Sequence, residues 1–293
     1  MIKISNPINK YFSLVKFSHT VFAMPFAMIG FALGITVGEV NFSLRLLLLI
    51  ILSMVFARNA AMGFNRLADK KFDALNPRTK SREIPSGKIS SGAASAFVII
   101  NALLFIITTY FINNLAFWLS PVALLVILGY SLTKRITALC HLVLGLGLSL
   151  APIGAYISVT GKFEMLPVIY SFIVLTWSSG FDIIYALQDD DFDRSADLYS
   201  IPSIIGRKNA LLVSSALHLI TFFLVIIAGL TESSGYFFWT GAIIFSSLLL
   251  YQHIIVKHND LSRVNLAFGT TNGFGSIIFA LFVIIDLYIR YIQ

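Results

Sequence analysis

ISSGAASAFVIINALLFIITTYFINNLAFWLSPVALLVILGYSLT, residues 89–133, runs for 45 residues without an Asp, Glu, Lys or Arg. A helix needs about 20 apolar residues to cross the hydrocarbon core of a bilayer, so this stretch holds two crossings. Asn113 and Asn114 divide them, because adjacent amides are costly in lipid and a tight turn satisfies them. Uncharged runs of 22–26 residues recur on both sides, at 17–38, 136–161, 209–231, 233–256 and 264–285. Of the 293 residues, 57% are apolar and only 12% charged, and the mean hydropathy is +0.86. Soluble domains carry about 25% charged residues. This composition excludes a disordered chain, a coiled coil and an ordinary soluble enzyme. It predicts an all-α polytopic membrane protein.

Nine transmembrane helices are expected, at 19–38, 45–66, 93–112, 115–132, 138–159, 165–187, 209–230, 235–255 and 265–288. With an odd number of spans, 17 of the 21 basic residues fall on the side of the N-terminus; only Arg45, Lys162 and Arg290 fall opposite, and Arg58 lies within a span. The positive-inside rule then predicts a cytoplasmic N-terminus and a C-terminus on the opposite side. The protein is expected to be integral to a membrane, with the cytoplasmic membrane of a bacterium the natural setting. The net charge of +7 follows from this topology rather than from a nucleic-acid partner. Residues 17–38 lack a small-x-small cleavage site and read as a retained first helix rather than a signal peptide. Cys140, the single cysteine, sits in an apolar run and reads as a small buried hydrophobe. Residues 1–293 form one domain in this reading.

The loops after spans two and six run to about 20–26 residues, a length that usually signals function. They hold most of the acid. Asn65-Arg66-Leu67-Ala68-Asp69-Lys70-Lys71-Phe72-Asp73 and Tyr185-Ala186-Leu187-Gln188-Asp189-Asp190-Asp191-Phe192-Asp193 share Leu, Asp, Phe and Asp at the same offsets. Each is followed by Ile-Pro-Ser, at Ile84-Pro85-Ser86 and Ile201-Pro202-Ser203, which suggests a parallel repeat four helices apart. Asn65, Asp69 and Asp73 stand at i, i+4 and i+8, so one helical face presents an amide and two carboxylates in line. Asp189 and Asp193 repeat the spacing, with Asp182 and Tyr185 deeper on roughly the same face. Asp193 and Asp197 are also four apart, which leaves the second register open. Facing carboxylates repel unless cations lie between them, and hard oxygen ligands point to Mg²⁺ completed by substrate phosphates. Lys71, Arg78, Arg82, Lys134 and Arg135 add the positive charge that a diphosphate requires.

Asn-x3-Asp-x3-Asp, Arg78-Thr79-x-x-Arg82, Tyr130-Ser131-Leu132-Thr133-Lys134-Arg135 and Asp182-x-x-Tyr185-Ala186-x-x-Asp189-x3-Asp193 together resemble the UbiA superfamily of intramembrane prenyltransferases. The resemblance runs in order over most of the chain and is nearest the 4-hydroxybenzoate polyprenyltransferase-like branch. Ser131 stands where that branch often has Pro, and Arg82-Glu83-Ile84-Pro85 replaces a tighter Arg-Pro. The resemblance implies a nine-helix fold with the N-terminus inside, and Mg²⁺-dependent transfer of a polyprenyl group from its diphosphate to an aromatic acid such as 4-hydroxybenzoate in quinone synthesis. Asn65, Asp69 and Asp73 would hold one ion, and Asp189 and Asp193 the other.

Arg58 is the one basic residue within a span, where a charge signals function. It is assigned to the carboxylate of the aromatic acid or to the diphosphate, the alternative being an ion pair with Asp182. Tyr130 and Tyr185 offer ring faces to an allylic cation. His19 reads as a helix cap or an acceptor contact, and His253 and His258 carry no metal role. A naphthoate or other acceptor of menaquinone synthesis fits the same residues. An ion-coupled secondary transporter is the alternative from another class, although its ionisable groups belong at the bilayer midplane rather than at span ends.

Overall fold

The computed structural model describes residues 7–15 and 22–292. In chain order the helices are α1 (Pro7–Leu14), α2 (Met24–Thr36), α3 (Leu44–Ala68), α4 (Lys70–Leu75), α5 (Ser91–Tyr110), α6 (Asn114–Thr133), α7 (Cys140–Thr160), α8 (Met165–Ala186), α9 (Asp190–Ser195), α10 (Ile201–Thr231), α11 (Tyr236–Ile255) and α12 (Asn272–Ile292). Helices α3, α5 and α6 each begin where a polar side chain satisfies a free backbone N–H group. Ser43 accepts from Leu46 N at 3.3 Å and Ser90 from Ala93 N at 3.2 Å. Asn113 accepts from Ala116 N at 2.8 Å, while its own Nδ2 donates to the carbonyls of Ile157 and Ser158 at 2.9 and 3.1 Å. The amide that splits the 45-residue run thus caps one helix and ties down the end of another.

Among the described residues, eight helices are long and apolar enough to cross a membrane. The stretch expected at 19–38 contains the 13-residue α2 and reaches upstream into residues 19–21, outside the described part; His19 lies there. The loop expected before residue 209 is largely helical. It holds α9 and the first turns of α10, which bends at Gly206, where φ 78° and ψ 161° are open to glycine and strained for other residues.

Helix α8 lies at the centre, between α7 and α10; α3 pairs with α5, and α2 packs on α7 and α12. Close crossing of α2 and α7 depends on Gly30, where a Cβ would fall 2.0 Å from the carbonyl oxygen of Pro152. The main core is aromatic: Phe26, Trp177, Phe181, Phe245 and Phe279 interlock with ring centroids 5.0–6.4 Å apart. One polar knot crosses it. Asn272 Oδ1 accepts from Trp177 Nε1 and Gln252 Nε2, both at 2.8 Å. Asn272 Nδ2 donates to the Ala267 and Phe268 carbonyls at 2.9 and 3.1 Å. Those carbonyls belong to a π-helical turn, Leu266–Thr271, at the start of α12. Such turns free backbone groups that need a partner, and Asn272 supplies it.

Candidate active site

Both acidic motifs lie at helix breaks. Asp69 separates α3 from α4 with φ −85° and ψ 4°, and Asp189 precedes α9 with φ −112° and ψ 2°. These values fall in or beside the sparsely populated bridge region, where many active-site residues sit. Helical bonding persists through the first break. Asp69 N donates to Asn65 O at 2.9 Å and Asp73 N to Asp69 O at 2.8 Å, so the three side chains remain in line. Asp193 N donates likewise to Asp189 O at 2.7 Å. Asp189 and Asp193 line the same cavity as Asn65, Asp69 and Asp73, whereas Asp197, at φ 52°, does not line it.

Each of the four carboxylates is held by a basic side chain. Arg78 forms a two-pronged pair with Asp189, one prong being Nε to Oδ1 at 2.9 Å, and Asn76 Nδ2 adds a bond to the same oxygen at 3.1 Å. Arg82 Nη1 meets Asp73 Oδ1 at 2.7 Å, Lys134 Nζ meets Asp193 Oδ1 at 2.8 Å, and Arg135 Nη2 meets Asp69 Oδ1 at 3.2 Å. Asn65 donates to Asp69 Oδ2 at 3.1 Å, and Ser200 Oγ to Asp193 Oδ2 at 2.9 Å. Burial raises the Asp69 carboxyl above its usual range, Asp73 beside it adds to the effect, and Arg135 offsets only part. Burial acts on Asp189 in the same direction, but Arg78 outweighs it and holds that carboxyl low. At Asp193 burial prevails over Lys134, and the carboxyl is raised. Burial would lower the Lys134 ammonium, yet Asp193 keeps it above its ordinary value.

The cavity has a volume of about 810 Å³, and besides the charged groups it is lined by apolar side chains that include Met54, Leu119, Val126 and Phe163. Arg58, Tyr130, Asp182 and Tyr185 all line it. The Tyr185 hydroxyl accepts from Arg78 Nη1 at 3.0 Å, and its ring stacks on Phe268 at 4.1 Å between centroids. The π-helical turn therefore delivers an aromatic wall to the site. Asp182 pairs with His141, at 2.7 Å between Nδ1 and Oδ2. Lys71 is not brought to the site: it is exposed and lines no part of the cavity. Two residues beyond Asp69 on a helical turn is about 200° of rotation, which points it away.

Asn76, His141, Ser200 and Phe268 were missed by pattern reading. Only Asn76-Pro77 carried a local signal, as a turn. His253 pairs with His218 rather than with His258: His218 Nδ1 and His253 Nε2 are 2.9 Å apart, between α10 and α11. Cys140 is buried as expected, its thiol directed at the Tyr199 carbonyl at 3.5 Å.

Hard oxygen donors suit a small divalent ion, and Asp73 Oδ2 is buried with no hydrogen-bond partner. Among the described residues no three His, Cys, Asp or Glu side chains approach closely enough to hold an ion by themselves. The donor set therefore fits Mg²⁺ when oxygens from a second ligand complete the shell.

Residues 23–282 match the UbiA prenyltransferase family. The chain belongs to it. A 4-hydroxybenzoate octaprenyltransferase of Tolumonas auensis is 29% identical over 238 residues, covering 81% of this chain and 83% of that protein. A UbiA homolog from Aeropyrum pernix K1, solved without ligand, superposes with a TM-score of 0.83 at 31% identity, over 92% of this chain and 98% of its own. A UbiA homolog from Archaeoglobus fulgidus, solved bound to GPP and Mg²⁺, shares the fold with a TM-score of 0.69 at 22% identity, over 95% and 99% of the two chains. This UbiA-family protein is a prenyltransferase, of the 4-hydroxybenzoate polyprenyltransferase-like kind. Membership sets the transporter alternative aside.

Proposed function

We propose that this UbiA-family enzyme transfers a polyprenyl group from a polyprenyl diphosphate to a ring carbon of an aromatic acid such as 4-hydroxybenzoate, with Mg²⁺ as cofactor. The observation that carries the proposal is the convergence of four carboxylates and four cations in a cavity that is also lined by apolar side chains. A long isoprenyl diphosphate has that same division. Arg78, Arg82, Lys134 and Arg135 would turn from carboxylates to phosphate oxygens, releasing Asp69, Asp73, Asp189 and Asp193, with Asn65, to hold the metal. Bound there, Mg²⁺ would supply a Lewis acid for the departing diphosphate.

The rest falls to the chain's own residues. As the allylic C–O bond breaks, its electron pair leaves with the diphosphate, and the apolar lining keeps water from the carbon left positive. The Tyr130 and Tyr185 rings face that charge. Arg58 binds the acid's carboxylate, and Asp182 faces its hydroxyl. A ring carbon then donates an electron pair to form the C–C bond, and the proton it carried leaves with the diphosphate. Nine spans with a cytoplasmic N-terminus, acting as one unit in the cytoplasmic membrane, would set this chemistry at the cytoplasmic face. Support for that orientation is the crowding of basic residues on the loops that carry both motifs.

The test is prenyl transfer by purified protein in detergent, with geranyl diphosphate, a panel of hydroxybenzoic and naphthoic acids, and either Mg²⁺ or EDTA. Metal-dependent prenylation of a benzoate is expected. Prenylation of a naphthoate alone would move the protein to the menaquinone side, and transfer that persists in EDTA would overturn the metal assignment.

A further inference from the structure

His141 is 2% exposed at the start of α7, and nothing in the reaction outlined above uses it. Its two ring nitrogens have opposite partners. Nε2 faces the backbone N–H of Ile201, at 3.3 Å, and Nδ1 faces Asp182 Oδ2, at 2.7 Å. A backbone N–H only donates, so Nε2 is the acceptor and the ring proton is on Nδ1, directed at the carboxylate. The Ser179 hydroxyl bonds the His141 carbonyl at 3.1 Å, which fixes the residue to α8 through its backbone as well. Asp182 lines the cavity and retains about a fifth of its side-chain exposure. With Oδ2 committed to the imidazole, Oδ1 is the oxygen left for a ligand. Ile201 follows Ser200, whose hydroxyl holds Asp193. One imidazole therefore links Asp182 to the start of α10, whose Ser200 hydroxyl holds the Asp193 carboxylate.

Granted the prenyl transfer proposed above, we infer that His141 is a positioning residue: as a neutral imidazole it fixes the rotamer of Asp182, so that this carboxylate meets the hydroxyl of the aromatic acceptor. The protein thereby sets which ring carbon faces the allylic carbon. A substitute needs one donor and one acceptor and no charge, which the glutamine amide offers and leucine does not.

The experiment compares His141→Leu with His141→Gln in purified, detergent-solubilised protein, measuring acceptor KM and kcat together with Mg²⁺-dependent binding of a non-hydrolysable geranyl diphosphate analogue. His141→Leu should lower kcat/KM for the acceptor by about tenfold or more while analogue binding holds, and His141→Gln should recover the rate to within about threefold of wild type. In an Asp182→Asn background His141→Leu should add little further loss. If His141→Leu matches wild type, loses analogue binding in parallel, or is no worse than His141→Gln, the inference fails. Should the leucine protein not survive extraction, His141→Ala with imidazole added back decides: rescue of acceptor KM supports the role, and no rescue overturns it. Wild-type protein that prenylates no phenolic acid would instead defeat the proposed function itself, and this inference with it.

Discussion

The two acidic motifs share spacing and backbone shape but sit in unlike surroundings. Only 22% of the apolar stretch of α3 is buried, against 61% in α8, so the first motif ends a helix that lines the open cavity and the second ends the central, packed one. Their counter-charges differ as well. Asp69 and Asp73 take theirs from Arg135 and Arg82, whereas Asp189 and Asp193 take theirs from Arg78 and Lys134, so all four cations lie between residues 78 and 135. The first half supplies the counter-charge for all four of these carboxylates, while Arg194 and Arg207 of the second half pair with Asp190 and Asp191 beside them. A repeat legible at the level of sequence has become a division of labour.

That division is open to direct attack. Asp69→Ala and Asp189→Ala should each reduce prenyl transfer on the order of 10³-fold while the protein remains inserted and monodisperse in detergent. If one half alone mattered to chemistry, one of the two variants would keep near-normal turnover. Arg58→Ala, deeper in α3, should raise acceptor KM by about tenfold with donor KM little changed; the reverse pattern would move Arg58 to the diphosphate.

Protonation cuts across the motifs and divides the second one internally. Metal binding needs ionised carboxylates, and burial holds Asp69 and Asp193 above the usual range while Arg78 holds Asp189 below it. As pH falls from neutral, protons compete first at Asp69 and Asp193, so the Mg²⁺ concentration for half-maximal rate should rise. Lys134→Gln removes a cation that favours ionised Asp193, and should shift that rise to higher pH. The smallest effect is expected of Ser200→Ala, which deletes both the α10 cap and the bond to Asp193. It should cost about 1 kcal/mol, read as about a fivefold loss of rate or a small drop in Tm.

Features governed by neighbours along the chain were legible in the sequence. Uncharged length located the spans, and four-residue spacing aligned Asn65, Asp69 and Asp73, because both depend on helical geometry alone. Lys71 was misjudged for the same reason inverted: its charge suggested a phosphate, but its phase on the turn decides where it points. Partners across the bundle left no periodic mark. His141 meets Asp182 over 41 residues of chain and Asn76 meets Asp189 over 113, and neither pairing can be read from spacing. The π-helical turn was equally silent, since what stabilises it is Asn272 reaching back to carbonyls released by a register that no residue type specifies.

The four ion pairs also bear on how a cycle ends. In the proposed reaction each cation that turns to a phosphate would do so in competition with a carboxylate tethered beside it, a rival whose effective concentration never falls. Diphosphate left behind after such a transfer would be opposed by an internal displacer, and closing the pairs again would return part of the free energy needed to expel it. The arrangement that would temper affinity for the donor is the same one that would keep the by-product from lodging in the site.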